Sequence, residues 1–276
     1  MTSPREFIGQ VGYLTLANNT TDTDYFRLAY LQTQSIKKYM PTALSAVIVD
    51  TDTHRSLSQS DKDGFDKVIV TEDNRVQMGP FANETQVFNL TPFKETIKLE
   101  ADLVLTRSIE HWLPGLRSRD LLFPIDITNF RNETVIDHTY RNFFKINRLP
   151  NLYSGIYYFR YCQLSAEFFN LTASIFRLWD DYKVNWKMSP DQASTDVVFA
   201  IAAFLIGAEQ CTNPALSYPT MTHMKGAING LLPAADWTDH LYCQLDEKYN
   251  LIVGLNKQVY PFHYHQKNWR VNYDRD

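Results

Sequence analysis

The sequence predicts an α/β fold, a mainly parallel twisted sheet flanked by helices, with residues 1–276 forming one domain. Three observations carry this expectation. Short apolar runs closed by turn residues alternate with stretches of helical spacing, in the order β-α-β-β-α-β. No internal repeat, low-complexity tract or Pro/Gly/Ser-rich linker divides the chain. Hydrophobic residues make up 44% and charged residues 21%, the balance of a globular protein rather than a disordered chain.

Residues 13–17 form a short β-type run that stops at Asn18-Asn19, which favour turns. Asp22 and Asp24 then precede a helix with Phe26, Ala29, Tyr30, Thr33 and Ile36 on one face. Lys37 and Lys38 suit the negative end of its dipole, and Pro41 ends it. Residues 44–49 are a second strand, ending in Asp50-Thr51-Asp52, and 66–70 a third. Residues 85–93 lead into a helix or turn around Lys94, and 96–105 read as the next strand.

In the second half, residues 153–159 are an aromatic-rich strand. Residues 163–182 place Ala166, Phe169, Ala173, Phe176 and Trp179 at helical spacing. Ser189-Pro190-Asp191 caps a further helix with Val197, Ala200, Ile201, Phe204 and Leu205 as its buried face. Residues 251–255 and 258–264 look like a closing pair of strands. On a parallel sheet, ligands collect at the carboxyl ends of the strands.

Composition excludes several classes. None of the 10 glycines forms G-x-G, so a dinucleotide fingerprint and a Walker-type phosphate loop are absent. Cys162, Cys211 and Cys243 lie far apart without a C-x-x-C, which argues against a disulfide framework or a cysteine zinc site. The first seven residues hold no apolar signal core. The longest apolar run, residues 197–206, is far short of the roughly 20 residues a membrane span needs. The expectation is a soluble, cytoplasmic protein with no membrane partner, its six N-x-T triplets being Asn/Thr-rich turns.

The triplet Glu100-Ala101-Asp102 is the first candidate for chemistry. In a strand, residues i and i+2 share a face with Cα atoms about 6.5 Å apart. Two such carboxylates can serve one hard divalent cation, Mn²⁺ or Mg²⁺, and leave positions for diphosphate oxygens. Acid-x-acid also occurs at Asp22/Asp24, Asp50/Asp52 and Asp61/Asp63, so the pattern alone is equally that of a solvated strand end.

Context singles out Glu100 and Asp102. The run from Pro92 to Leu105 resembles the segment around the acidic D-x-D motif of GT-A nucleotide-sugar glycosyltransferases. Residues 13–18 are similar to their first strand, and Asp24 to Tyr39 to their first helix. Residues 151–159 resemble their N-x-G strand, Asp191-Gln192 their D-Q helix start, and His223-Met224-Lys225 their late His/Lys element. The resemblance spans residues 11–265, with one departure: Glu100 stands where the family has the first Asp.

That resemblance implies a GT-A-like domain that moves a sugar from a UDP-sugar to an acceptor hydroxyl. It implies nucleoside binding at the end of the first strand (Thr15, Leu16, Ala17) and a cation on Asp102, Glu100 and His223, although His223 alone reads equally as a surface or core hydrogen-bonder. Lys225 would reach the β-phosphate as a point charge. Lys94 reads as a phosphate or ribose ligand or an exposed lysine, and Asp50 as a ligand of base or ribose or a turn former. Ser154 and Gly155 read as a contact to the donor sugar or a bulge. Asp191 reads as a helix cap or as the carboxylate that holds sugar hydroxyls or takes the acceptor's proton, with Asp196 a weaker candidate. His263 and His265 share a strand face without an evident third ligand, and an acceptor-facing or half-exposed edge strand is the expectation there.

The chain as a whole is most similar to glycosyltransferases of tailed bacteriophages, on the motif at Tyr13–Ala17, the acidic strand with residues 107–112, the His-Met-Lys triplet and the final His-Tyr-His. This implies DNA carrying 5-hydroxymethylcytosine as an acceptor, with glucose or arabinose transferred. A net charge of −4 opposes general nucleic-acid affinity. Between Arg117 and Arg148, however, six basic residues outnumber four acidic ones, interleaved with Tyr140, Phe143 and Phe144. That segment reads as a DNA track or as a solvated loop and helix with core aromatics.

Overall fold

The computed structural model describes residues 5–187, 193–232, 235–246, 248 and 250–269. Its strands are β1 (Gly9–Leu16), β2 (Leu44–Asp50), β3 (Lys67–Thr71), β4 (Phe93–Glu100), β5 (Leu103–Val104), β6 (Leu121–Leu122), β7 (Ile156–Arg160), β8 (Thr222–His223), β9 (Cys243–Leu245), β10 (Leu251–Val253), β11 (Asn256–Lys257) and β12 (Phe262–His263). The main sheet has the order β3-β2-β1-β4-β7-β6. Its first four strands are parallel, and β7 and β6 each run antiparallel to the preceding neighbour. This is the expected α/β class.

Alternation along each central strand covers both faces. Leu14, Ala46 and Ile48 face the helices Gln163–Arg177 and Thr195–Ile206, joining Phe168, Phe169 and Val198 in one cluster. Val47 and Val49 point the other way, toward Phe26 and Ala29 of the helix Tyr25–Tyr39. Asp24 caps that helix by accepting from the Arg27 amide at 3.0 Å. At Gly12 a Cβ would lie 2.3 Å from the Phe93 ring, so only glycine lets that ring cross β1.

The chain goes from β1 outward to β2 and β3, then returns to β4 on the other side of β1. The carboxyl ends of β1 and β4, with Leu16 opposite Glu100, therefore form a topological switch point. Two small sheets complete the molecule, β5-β12-β8 and β11-β10-β9.

Several expectations are corrected. The expected closing strands do not pair: β10 lies between β9 and β11, whereas β12 lies between β5 and β8. Phe204 and Leu205 are 46% and 49% exposed. The helix Thr195–Ile206 is apolar all round, so spacing does not define its face, and Phe204 meets Trp186 edge-on outside the core. The helix expected over 163–182 breaks at Leu178 into Gln163–Arg177 and Trp179–Asn185. Ser189, Pro190 and Asp191 lie outside the described residues. Among the described residues no helix is long and apolar enough to cross a membrane.

Candidate active site

A cavity of about 580 Å³ opens at the switch point, within the size range of small-molecule sites. Leu16, Glu100, Asp102, Ser154, Gly155, His223 and Lys225 line it, so most sequence candidates converge. The acid pair arises differently from the expected strand alternation. Glu100 ends β4, and Ala101-Asp102 is the turn into β5.

Helix Tyr25–Tyr39 shapes that turn. The buried Gln32 amide donates to the carbonyls of Glu100 and Leu103, the latter at 2.9 Å, and its oxygen accepts from Thr15. Ser35 Oγ accepts from the Leu105 amide at 2.9 Å. Thr15 is thus engaged inside the fold, and Ala17 is buried with its amide on Ile48.

His263 sits between the two carboxylates. Its Nε2 lies 3.1 Å from Glu100 Oε2 and 3.2 Å from Asp102 Oδ1, and the three side chains bring donors within 4.8 Å of one another. Pairing with β5 on one side and β8 on the other buries His263, in contrast to the expected edge strand. His223 stands one step behind, its Nδ1 3.0 Å from His263 Nδ1, so the imidazole grouped with the carboxylates is His263 rather than His223. Lys267 pairs with Asp102 Oδ2.

Burial pushes Glu100 up, against the pull of His263, and the Asp102 charge adds to the rise. Burial works the same way on Asp102, but His263 and Lys267 hold that carboxyl well below its ordinary range. Burial opposes a proton on His263, yet Asp102 and Glu100 raise it above the usual imidazole. Burial and the neighbouring His263 push His223 far down, and His265 down to about 2.

Of the two expected lysines, Lys225 lines the cavity and Lys94 does not. Lys94 is exposed near the amino end of β4, about 20 Å along the strand from Glu100. Lys98, on the same strand and only 1% exposed, lines the cavity and pairs with Glu84. Asp50 caps the helix Thr51–Ser56 and holds Arg75 at 2.7 Å; Arg75, not Asp50, lines the cavity.

Asp196 also lines the cavity; it accepts from the Ser154 amide at 2.8 Å and hydroxyl at 2.7 Å, and pairs with the buried Arg141 at 3.0 Å. A Cβ at Gly155 would meet Met221 Sδ at 2.7 Å, so this glycine serves a close approach of the chain itself. Asn18 and Glu84 line the cavity, and both carboxamide atoms of Asn18 and Oε2 of Glu84 are buried without a hydrogen-bond partner. Asp191 lies outside the described residues.

Three of the six basic residues between Arg117 and Arg148 bond within the fold, while Arg131, Lys145 and Arg148 are exposed. Arg117 pairs with Glu95 at 2.7 Å, Arg119 donates to the Glu209 carbonyl, Arg141 holds Asp196, and Tyr140 bonds the Tyr153 hydroxyl at 2.8 Å.

No family model and no curated protein matches the chain. Among solved structures, mouse xyloside xylosyltransferase 1 is 11% identical with a TM-score of 0.47, over 75% of this chain and 84% of that one. An active-site mutant of LgtC is 9% identical with a TM-score of 0.45, over 73% and 72%. The glycosyltransferase GlyE of Streptococcus pneumoniae TIGR4 is 10% identical with a TM-score of 0.39, over 74% and 45%. Likeness at this level concerns architecture, not chemistry.

Proposed function

We propose that the chain is a cation-dependent glycosyltransferase that moves a sugar from a UDP-sugar to an acceptor hydroxyl. The observation that carries this reading is the meeting of Glu100, Asp102 and His263 at the switch point, inside a cavity sized for a small molecule. Two carboxylate oxygens and an imidazole nitrogen fit a Mn²⁺- or Mg²⁺-class ion. Such a cation, when bound, neutralises charge on a departing diphosphate.

The chain's own residues supply the rest. Arg75, Lys225 and Lys267 give the cavity cations for phosphate oxygens, while Glu84, Asn18 and Asp196 face it with acceptors for hydroxyls or a base. An acceptor oxygen attacks the anomeric carbon as the bond to the diphosphate oxygen breaks, and a carboxylate takes the acceptor's proton. Asp191 is the sequence's choice for that carboxylate; Asp196, fixed by Ser154 and Arg141, lines the cavity. For the acceptor, the phage resemblance favours 5-hydroxymethylcytosine in DNA, with a glycan as the rival.

The test is a screen of UDP-sugars with Mn²⁺ or Mg²⁺ against hydroxymethylcytosine DNA, plain DNA and a glycan panel. UDP release that a chelator stops, and that Asp102→Asn lowers at least about 100-fold, is expected, since even partners behind a metal ligand cost 10–100-fold. Incorporation only into glycans rejects the DNA acceptor. Nucleotide-sugar binding without any UDP release rejects transfer and leaves a binding protein.

A further inference from the structure

Beside the carboxylate pair lies a second cluster of donors, all nitrogen. His223, His263 and His265 bring one ring nitrogen each within 4.8 Å of one another, and the group holds no carboxylate. His223 Nδ1 lies 3.0 Å from His263 Nδ1 and 3.3 Å from His265 Nε2. Donors on a tetrahedral cation with bonds of about 2.0–2.1 Å stand about 3.3–3.4 Å apart. The two separations from His223 Nδ1 are close to that value, and His265 Nε2 also lies 3.2 Å from His223 Nε2.

Two further features favour this cluster. His265 has φ 61°, a left-handed conformation that non-glycine residues seldom adopt, and its ring centroid lies 4.4 Å from that of His223. At Gly155 a Cβ would come within 3.3 Å of His263 Nδ1, so glycine keeps a side chain from crowding that nitrogen. All three histidines line the cavity.

The geometry points to a second cation seat, made of three imidazoles, that takes a zinc-class ion and competes with the carboxylate seat for His263. The competition, though not the seat itself, rests on the proposed function. Soft or borderline nitrogen ligands favour zinc-class ions over magnesium. A neutral imidazole has one acceptor nitrogen. With its hydrogen on Nδ1, His263 offers Nε2 to the side of Glu100 and Asp102. With its hydrogen on Nε2, it donates to those carboxylates and offers Nδ1 to the side of His223 and His265. One seat fills at the expense of the other, which makes a zinc-class ion an inhibitor of Mn²⁺-dependent turnover.

Cobalt(II) is the probe, because a tetrahedral site absorbs visible light far more strongly than a six-coordinate one. The full chain, without nucleotide, is expected to give an intense visible band that stoichiometric Zn²⁺ abolishes and excess Mg²⁺ leaves. Zn²⁺ is expected to weaken Mn²⁺ binding, followed by the resonance of the free ion, at least about tenfold. His265→Asn suits the positive φ but cannot reach, so the cobalt band should vanish while Mn²⁺ still binds. Asp102→Asn should do the reverse. Weak six-coordinate cobalt bands, independent Zn²⁺ and Mn²⁺ binding, or a band persisting in folded His265→Asn overturns the inference. The competition is measured on the unsubstituted chain, so it decides even where a variant misfolds. Absence of sugar transfer with every donor would sink the proposed function and leave the cobalt band in place.

Discussion

Gln32→Met tests whether the acidic turn is held from helix Tyr25–Tyr39. The side chain is fully buried and its amide joins β1, through Thr15, to the carbonyls on either side of Ala101-Asp102. Methionine matches it in length and fills its volume, so the change removes polarity rather than packing. Each buried hydrogen bond contributes about 1 kcal/mol net, and a partner left unsatisfied costs about 1–3 kcal/mol. The Thr15 hydroxyl can rotate away, so two carbonyls dominate, and the loss should be about 2–5 kcal/mol. At about 2–4 °C per kcal/mol for chains approaching this size, Tm falls by about 4–20 °C. The turn also loosens, so Mn²⁺ affinity should drop even well below the new Tm. Thermal unfolding and Mn²⁺ titration on one sample provide both readouts. A Gln32→Met chain that melts and binds Mn²⁺ like the parent would refute this account of how the turn is held.

Three further outcomes are expected. Asp196→Asn keeps an acceptor for Ser154 but leaves the buried Arg141 with a weaker partner, so it should cost about 1–3 kcal/mol in denaturant melts and weaken donor affinity. Gly155→Ala forces a Cβ against Met221 Sδ and should cost about 1–3 kcal/mol; combined with Met221→Ala, the loss should be less than additive. Burial alone would raise Glu95, but Arg117, Gln10 and Tyr158 donate to it and hold it below its ordinary value of about 4.3. Its contribution to stability is complete above that value and is lost as pH falls through the lower folded one. Glu95→Gln should therefore be less stable at neutral pH and show a flatter acid limb in urea midpoints.

The main sheet was legible because its signals are local. Apolar runs at 13–17, 44–49 and 66–70 correspond to β1, β2 and β3 within a few residues, and Asp24 with Lys37 and Lys38 marks the helix between the first two. Where local signal is degenerate, the reading fails. The helix Thr195–Ile206 is apolar on every side, so its sequence does not say that Phe204 and Leu205 stay outside. Lys98 resembles the exposed Lys94, four residues earlier on the same strand face, and only the position of Glu84 makes one a buried ion-pair partner. Charges between Arg117 and Arg148 look like a surface stripe until Glu95 and Asp196, distant in sequence, are set against them.

The site shows the same limit in sharper form. Glu100 and Asp102 are close in sequence and stood out, whereas His263 reaches them across some 160 residues of chain. What delivers it is the register of two-residue strands: His263 opposite Leu103 on β5 and opposite His223 on β8. Side chains in a strand alternate, so a slip of one residue would turn His263 away and present Phe262 or Tyr264 to the carboxylates. Phe262 and Tyr264 instead bury against Trp269, with Phe262 also against Trp237, and that apolar packing fixes the register. Specificity for the polar centre thus comes from the aromatic residues flanking it. A search for third ligands near His263 in sequence finds nothing because its partners are defined by which neighbours the aromatics choose.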